Sequence, residues 1–326
     1  MKRRELTIAL GGLAAGLAGL GAGSALAQAP AAYPAKPITL VASFAGMTDQ
    51  MGRVLGEAIN AKNGTPVVVE TKAGASGIIA AEYVLKQPAD GYVLFHTTNT
   101  THAANQSLFK TLPYDYVKDF IPVTGVLRGG LMLVVSSASP VKTVGDLTAL
   151  AKKQPGKLSF GWGASAVRVA VEQYRQMESL DFVSVPYKTN GQAVVDLIGG
   201  RLDFMVLDAL TAAPQISSGR MRAVAVTSEK RMSGFPNVPT MQESGLPGYS
   251  MTFWQGIYAP KGTPDAVVKR AAALLTEAIN SPAAQKFMNT VSVEPFPLSG
   301  EELMKFQQAE AVKWKAIISA AGIQPE

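Results

Sequence analysis

Residues 38–69 read ITLVASFAGMTDQMGRVLGEAINAKNGTPVVV, and the rest of the chain repeats the pattern of this stretch. The apolar run at 38–41 predicts a strand, and the pattern at 49–60 is typical of an amphipathic helix. A small-residue loop at 43–49 separates them, and the run at 67–69 predicts a second strand. Short, wholly apolar strands indicate burial on both faces, which favours an α/β fold.

The same alternation of strands and helices continues to the end of the chain. Apolar runs predict strands at 93–95, 131–135, 158–160, 182–185, 204–207 and 223–227. Amphipathic patterns predict helices at 77–86, 143–153, 165–177, 191–198, 264–279 and 301–320. This order predicts parallel sheets that are covered by helices, which is the α/β class.

The first 27 residues have the order of a cleavable export signal. Lys2, Arg3 and Arg4 precede an uncharged run rich in glycine, alanine and leucine, which closes on small residues at 25–27. Residues 1–27 are therefore predicted to be a signal peptide that is removed. The length of the run also allows a membrane anchor, but its small residues and its cleavage site favour a signal. The arginine pair leaves both the general secretory and the twin-arginine route open.

Composition excludes several classes of function. The formal net charge is a mild +6, and no block of five or more like charges is present, so nucleic acid is not an expected partner. The chain has no cysteine, which excludes a disulfide scaffold, a thiol nucleophile and a thiolate metal site. Its two histidines, His96 and His102, are too close in sequence for a typical metal site or catalytic triad. We therefore expect that the protein is not an enzyme and that it binds neither a metal nor a cofactor. An exported hydrolase is disfavoured for the same reasons.

Three loops that each follow a strand and precede a helix share one composition. They lie at 43–49, 71–77 and 161–165, and each combines small residues with a hydroxyl side chain. Unpaired amides and the helix dipole favour an anion at such a helix start. The alternative is that Thr48, Asp49 and Ser165 serve only as N-caps. Because open α/β sheets bind ligands at the carboxyl ends of their strands, three such loops predict a ligand cleft.

Short motifs occur in a fixed order along residues 33–264. They are Tyr33-Pro34-x-Lys36-Pro37-Ile38, Val67-Val68-Val69-Glu70-x-Lys72-x-Gly74-Ala75-x-Gly77, Asp90-Gly91-Tyr92-x-Leu94, Thr101-His102-Ala103, Val185-Pro186-Tyr187-Lys188, Asp196-Leu197-Ile198-Gly199-Gly200-x-Leu202-Asp203, Val238-Pro239-Thr240 with Glu243-x-Gly245, and Ala259-Pro260-x-Gly262-Thr263-Pro264. In this order the motifs resemble the Bug family. Its members are extracytoplasmic solute receptors of tripartite tricarboxylate transporters.

The resemblance implies a two-lobed periplasmic binding protein of the Venus flytrap type, with the ligand cleft between two α/β domains. Lobe one is expected at 33–130 and 253–326, and lobe two at 131–252. Such a receptor, here expected to be a monomer, closes on a small organic carboxylate, either a di- or tricarboxylate or an aromatic acid. It then delivers the ligand to membrane transporter subunits of the tripartite type. The alternative of a ligand-presenting partner for a membrane sensor kinase stays open, because the same clamshell would serve signalling.

The resemblance also implies where the ligand is held. Backbone amides and hydroxyls, assisted by ordered water, are expected to supply most contacts. From lobe one these are Phe44, Ala45, Gly46, Thr48, Asp49, Ser76, Gly77, Thr98, Asn99 and Thr100. From lobe two they are Ser165, Thr189, Asn190 and Asp208.

The sequence departs from the family pattern at two places, which affects the assignment of these ligand-binding residues. The first loop is shorter than usual, and Met47 stands where a compact residue is expected. In the later loop Ser165 and Glu172 keep the family spacing, but Arg168 replaces a histidine. An arginine in the first turn of a helix opposes the dipole, which predicts a partner such as a second acidic group on the ligand. The alternative is an arginine that faces solvent.

Three further residues have two interpretations each. Trp162 and Trp254 could form an apolar wall of the cleft, although tryptophan more often packs in a core. Of the two, Trp162 is the stronger candidate for the cleft because it lies in the third loop. Arg128 is a weaker candidate for ligand binding, near the expected crossing between the lobes.

Overall fold

The computed structural model describes residues 33–325, so the predicted signal peptide at 1–27 lies outside the described residues. The strands are β1 (Ile38–Ala42), β2 (Val67–Thr71), β3 (Val93–Thr98), β4 (Phe120–Gly130), β5 (Met132–Ser136), β6 (Ser159–Trp162), β7 (Val183–Pro186), β8 (Phe204–Leu207), β9 (Met221–Val226), β10 (Thr252–Pro260) and β11 (Glu294–Pro295). The α-helices are α1 (Met47–Asn63), α2 (Ile78–Leu85), α3 (Asn105–Leu108), α4 (Val144–Lys153), α5 (Ser165–Glu178), α6 (Asn190–Ile198), α7 (Ala209–Ser217), α8 (Asp265–Ile279), α9 (Pro282–Thr290) and α10 (Gly300–Ala320).

The strands form two sheets. The first sheet has the order β11-β4-β10-β3-β1-β2, and the second has the order β7-β6-β8-β5-β9. Both contain parallel pairs, such as β1 with β2 and β6 with β7. Both also contain antiparallel pairs, such as β10 with β4 and β5 with β9. The prediction of parallel sheets thus holds for only part of each sheet, because the antiparallel β4 and β10 were not among the predicted strands and β5 runs against its neighbours.

The chain passes from one sheet to the other at two places. On the way out, β4 ends in the first sheet at Gly130 and β5 begins in the second sheet at Met132, so only Leu131 lies between them. On the way back, residues 227–251 lead from β9 of the second sheet to β10 of the first. The molecule is therefore an α/β protein of two sheets, joined by a single residue on the way out and by a longer segment on the way back.

Apolar residues fill the space between strands and helices. Every residue of β5 and of β8 is buried, which is the pattern of strands covered on both faces. Trp254 on β10 is fully buried, and its ring packs edge-on against Phe306 of α10 at 5.4 Å between centroids. Trp254 thus packs in the core. None of the helices between residues 33 and 325 combines the length and the apolarity that crossing a membrane requires.

Several helices begin with a side-chain cap. Thr143 and Ser299 each form a complete capping box, with Asp146 at the start of α4 and with Glu302 at the start of α10. Ser281 accepts a hydrogen bond from the backbone of Ala284 at the start of α9. These bonds satisfy amides that the helix itself leaves unpaired.

Candidate functional site

Helix α1 begins directly after the first loop without a side-chain cap. Gly46 is the N-cap residue, with φ of 90°, and among residues 33–325 no side chain bonds to the first amides of the helix. Thr48 and Asp49 lie inside the helix, so their interpretation as N-caps was wrong. The first amides of α1 therefore remain available to an anion at the carboxyl end of β1.

Asp49 ties the first loop to the neighbouring strand. Its carboxylate accepts a hydrogen bond from Thr71 Oγ1 at the end of β2, at 2.6 Å, and pairs with Arg53 Nη2 at 3.0 Å. Burial alone would raise the pKa of Asp49, but the bonds from Thr71 and Arg53 outweigh burial and hold that pKa below its usual value. Asp49 thus stays charged and fixes the start of α1 against β2. The sequence placed Thr71 in the second loop but indicated no individual role for it.

The second loop is built from left-handed backbone. Ala75 and Ser76 have φ of 45° and 51°, and Gly77 follows with φ of 84°. A Cβ on Gly77 would lie 2.5 Å from the methyl group of Thr101 and 3.4 Å from the ring of Phe44. The glycine therefore lets the second loop pack against Phe44 of the first loop and against Thr101 beyond β3. Non-glycine residues in this conformation cost about 1–3 kcal/mol each, and such strain clusters at ligand-binding sites.

The end of β3 completes this side of the site. Thr98 Oγ1 accepts a hydrogen bond from the amide of Thr100 at 3.1 Å. Asn99 is 1% exposed, and its side-chain amide nitrogen has no hydrogen-bond partner within residues 33–325. A buried amide of this kind is costly unless a ligand or water accepts its hydrogen bond. Asn99 is therefore a strong candidate among the residues that sequence analysis assigned to the site.

A buried polar layer, formed by Ser43, His96 and Gln255, lies behind the first loop. Gln255 of β10 donates to Thr48 Oγ1 at 3.4 Å and lies opposite Thr98 in the sheet. Burial lowers the pKa of His96 to about 4, against the opposing effects of Gln255 and Asp49, so His96 is neutral at pH 7. Sequence analysis did not assign this layer, although the polar Gln255 within the apolar strand β10 was a signal for it.

The second sheet supplies the opposite wall. Asn190 Oδ1 accepts a hydrogen bond from the amide of Gly163 at 2.8 Å, which brings the start of α6 beside the loop after β6. Trp162 ends β6, and its indole Nε1 donates to Ser184 Oγ at 2.8 Å. Trp162 is half-buried, in contrast to the fully buried Trp254. Thr189 accepts a hydrogen bond from the amide of Gln192 and so caps α6.

Ser165 brings the two walls together. It is the first residue of α5, its N-cap is Ala164 without a side-chain bond, and its interpretation as an N-cap was therefore wrong. Its hydroxyl oxygen lies 3.1 Å from that of Ser76, which belongs to the second loop of the first sheet. Predicted site residues of the two sheets are thus in direct contact.

Asp208 is used differently from the other predicted site residues. Its carboxylate caps α7 and accepts hydrogen bonds from the amide of Thr211 at 2.9 Å and from the Thr211 hydroxyl at 3.1 Å. Burial raises the pKa of Asp208, although the bonds from Thr211 oppose that shift. Within residues 33–325, no hydrogen bond joins Asp208 to the first sheet.

Arg168 lies one turn into α5 and is half-buried. Its guanidinium lies over the Trp162 ring, 5.3 Å from the ring centroid, which is a cation–π arrangement. This contact holds the arginine beside the predicted site rather than in open solvent. Arg128 on β4 pairs instead with Glu294 at 3.4 Å and lies over the Phe296 ring.

The chain is similar to known proteins in both sequence and fold. Residues 51–323 match the model of the tripartite tricarboxylate transporter family receptor. The protein BugT of Bordetella pertussis is 32% identical over 295 residues, which cover 89% of this chain and 90% of BugT. Rpa4515 of R. palustris, solved with adipate, is 31% identical with a TM-score of 0.86, covering 90% of this chain and 100% of Rpa4515. MatC of Rhodopseudomonas palustris, solved with bound malate, is 25% identical with a TM-score of 0.81, covering 88% of this chain and 100% of MatC.

Proposed function

Because the chain belongs to the tripartite tricarboxylate transporter receptor family, we propose that this solute-binding receptor captures a small organic carboxylate and delivers it to a tripartite membrane transporter. The proposal places the receptor in the periplasm, where the family works, and gives it no chemical step. Adipate in Rpa4515 and malate in MatC support a carboxylate as the ligand class.

One observation carries the proposal. The loops that start α1, α2 and α5 have no side-chain cap, and two of them meet where Ser76 and Ser165 are 3.1 Å apart. Amides at such helix starts, together with hydroxyls, hydrogen-bond a carboxylate without needing a cation. The unpartnered side-chain amide of Asn99 adds a neutral donor on the same side.

Closure of two lobes accounts for the contact between the sheets. We assign lobe one to residues 33–130 and 253–326, because these contain the first sheet except for Thr252 at the start of β10, and lobe two to 131–252. Hinge closure around a ligand would bring Ser76 and Ser165 together as they stand here. The open lobes would admit the carboxylate, and the closed form would be presented to the transporter.

The ligand contacts then divide between the lobes. Lobe one supplies the first loop, Ser76 with Gly77, and the Thr98–Asn99–Thr100 segment, and lobe two supplies Ser165 and Asn190. Arg168, held over Trp162, is placed to recognise a second acidic group, and the half-buried indole offers an apolar wall. Asp49 acts indirectly by fixing α1, and Thr189 and Asp208 act by capping helices of lobe two.

A thermal-shift panel of mono-, di- and tricarboxylates, including adipate, malate and aromatic acids, tests the proposal. A ligand at one hundred times its dissociation constant should add about 2.7 kcal/mol to the free energy of unfolding. The protein is first unfolded and refolded to remove any ligand, and mass spectrometry of the released material identifies what was carried. Neutral amides of the same acids are the matched controls. If none of the carboxylates raises the melting temperature of the ligand-free protein, the proposal is contradicted.

A further inference from the structure

The two segments that join the sheets are tied together by one buried threonine. Thr227 directly follows β9 and is 1% exposed. Its backbone amide donates to Leu131 O at 2.8 Å, and its carbonyl accepts from the amide of Met251 at 2.9 Å. Its hydroxyl bonds to the same two residues, accepting from the amide of Leu131 at 2.7 Å and donating to Met251 O at 2.6 Å.

The four bonds matter because their partners, Leu131 and Met251, lie where the chain passes between the two sheets. Leu131 is the one residue between β4 of the first sheet and β5 of the second, and Met251 directly precedes β10. Leu131 and Met251 therefore both lie at junctions where one sheet can turn against the other. Thr227 holds both of them from a single residue.

Gly130 lets this arrangement pack closely. A Cβ at Gly130 would lie 2.9 Å from the Cβ of Ser228 and would overlap the Ser228 hydroxyl. The end of β4 thus lies directly against the Thr227–Ser228 backbone. This close packing is a separate observation from the four hydrogen bonds of Thr227, and it supports a fixed junction between the two segments.

We propose that Thr227 is the positioning residue that fixes the pivot about which the two lobes close. The inference rests on the proposed function, because closure matters only to a receptor that encloses its ligand. The Thr227 hydroxyl must donate and accept at once, which serine can do and valine cannot. Without it, the amide of Leu131 and the carbonyl of Met251 lose a buried partner. The two segments can then shift separately, and the walls of the cleft meet in more than one alignment.

Disulfide trapping measures this alignment without any ligand. The chain contains no cysteine, so the double variant Ser76→Cys/Ser165→Cys carries the only two thiols, at positions whose side-chain oxygens are 3.1 Å apart. The rate at which the pair forms a disulfide under a fixed oxidant reports how often the lobes reach the closed alignment. Thr227→Val and Thr227→Ser are compared in this background.

Thr124→Val is the matched control. Thr124 is also 1% exposed, and its hydroxyl donates to Leu298 O at 3.1 Å and to Gly125 O at 3.0 Å, wholly on the side of the first sheet. Loss of its hydroxyl should lower the melting temperature as Thr227→Val does, without changing closure. A purely structural role for Thr227 would make the two variants behave alike.

We expect Thr227→Val to slow trapping about fivefold, the factor that one net hydrogen bond gives, while Thr227→Ser and Thr124→Val stay within about twofold. Equal slowing in both valine variants, or none in either, would overturn the inference.

If Thr227→Val does not fold, hydrogen exchange at the backbone amides of the ligand-free wild-type protein tests the inference instead. Slow exchange at Leu131 and Met251 supports the pivot, and exchange as fast as that of the cleft loops contradicts it. If no carboxylate stabilises the protein but Thr227→Val still slows disulfide formation, only the proposed function is contradicted.

Discussion

Three helices that start at the candidate cleft begin differently from two helices elsewhere in the molecule. At α4 and α10, Thr143 and Ser299 form capping boxes, so side chains satisfy the first amides. At α1, α2 and α5, the N-cap residues are Gly46, Gly77 and Ala164, and no side chain bonds to the helix start. Backbone conformation thus shapes these three starts, whereas side chains shape the starts of α4 and α10. The division is not complete, because Thr189 caps α6 at the cleft and α8 begins after Pro264 without a side-chain cap. Disturbing the two kinds of start should therefore have separable effects on binding and on stability.

The largest effect is expected where backbone conformation builds the cleft. Gly77→Ala should lower the free energy of unfolding by about 2–4 kcal/mol, because the left-handed backbone and the overlap with Thr101 both oppose a Cβ. Gly64→Ala is the control, since Gly64 also has a positive φ but its Cβ would meet nothing within 4 Å. Urea unfolding measures both variants. Equal losses would show that the second loop tolerates the side chain.

The next largest effect is expected at Arg168. Arg168→Ala should weaken binding of the strongest dicarboxylate of the panel by about 10- to 100-fold, because a charge-assisted bond is worth about 1.5–3 kcal/mol. Arg168→Lys should also weaken it, because lysine keeps the charge but loses the planar fork. Calorimetry with the corresponding monocarboxylate is the control, and its affinity should hardly change. Equal losses for both acids would remove Arg168 from ligand recognition.

A smaller effect is expected at Asp49, which supports the cleft without facing the ligand. Asp49→Asn should weaken carboxylate binding and lower stability by about 0.5–2 kcal/mol through the weaker bonds to Thr71 and Arg53. Because the folded protein holds the pKa of Asp49 below its usual value, its contribution is present above the ordinary aspartate pKa of about 3.9 and is lost as pH falls through the lower folded value.

Stability curves between neutral and acidic pH check the sign of this effect. The wild-type protein should lose more stability on acidification than Asp49→Asn does. Parallel curves for the two proteins would show that the Asp49 carboxylate contributes nothing to the start of α1.

The smallest effect is expected at an outer helix. Thr143→Ala should cost about 1 kcal/mol of stability by removing the cap of α4, with carboxylate affinity unchanged. Thermal unfolding and calorimetry on the same sample measure both quantities. A loss of affinity here would abolish the distinction between the two kinds of helix start.

Much of the fold could be predicted because its signal is local. Buried strands such as β5 and β8 are continuous apolar runs, and the capped helices have their hydroxyl and acidic residues at the expected spacing. The long strands β4 and β10 were missed, because glycine, arginine and glutamine interrupt their apolar runs. Their antiparallel pairing depends on partners far along the chain, which no local pattern records.

The site was predictable in outline and less so in its roles. The three small-residue loops were identified from composition and from the Bug resemblance, and Ser76 and Ser165 do meet. The alternative that Thr48, Asp49 and Ser165 serve only as N-caps was wrong, because backbone conformation decides where a helix starts. The buried layer around Gln255 escaped notice, since burial of one polar side chain is a tertiary property.

The strand order has a consequence for behaviour at high concentration. One edge of the first sheet is β11, only two residues long and ending in Pro295, and one edge of the second is β7, ending in Pro186. Proline removes a backbone donor, and a short strand offers little template, so another chain cannot readily extend either edge. At high concentration, these two edges therefore give neighbouring molecules little opportunity to pair with the sheets strand to strand.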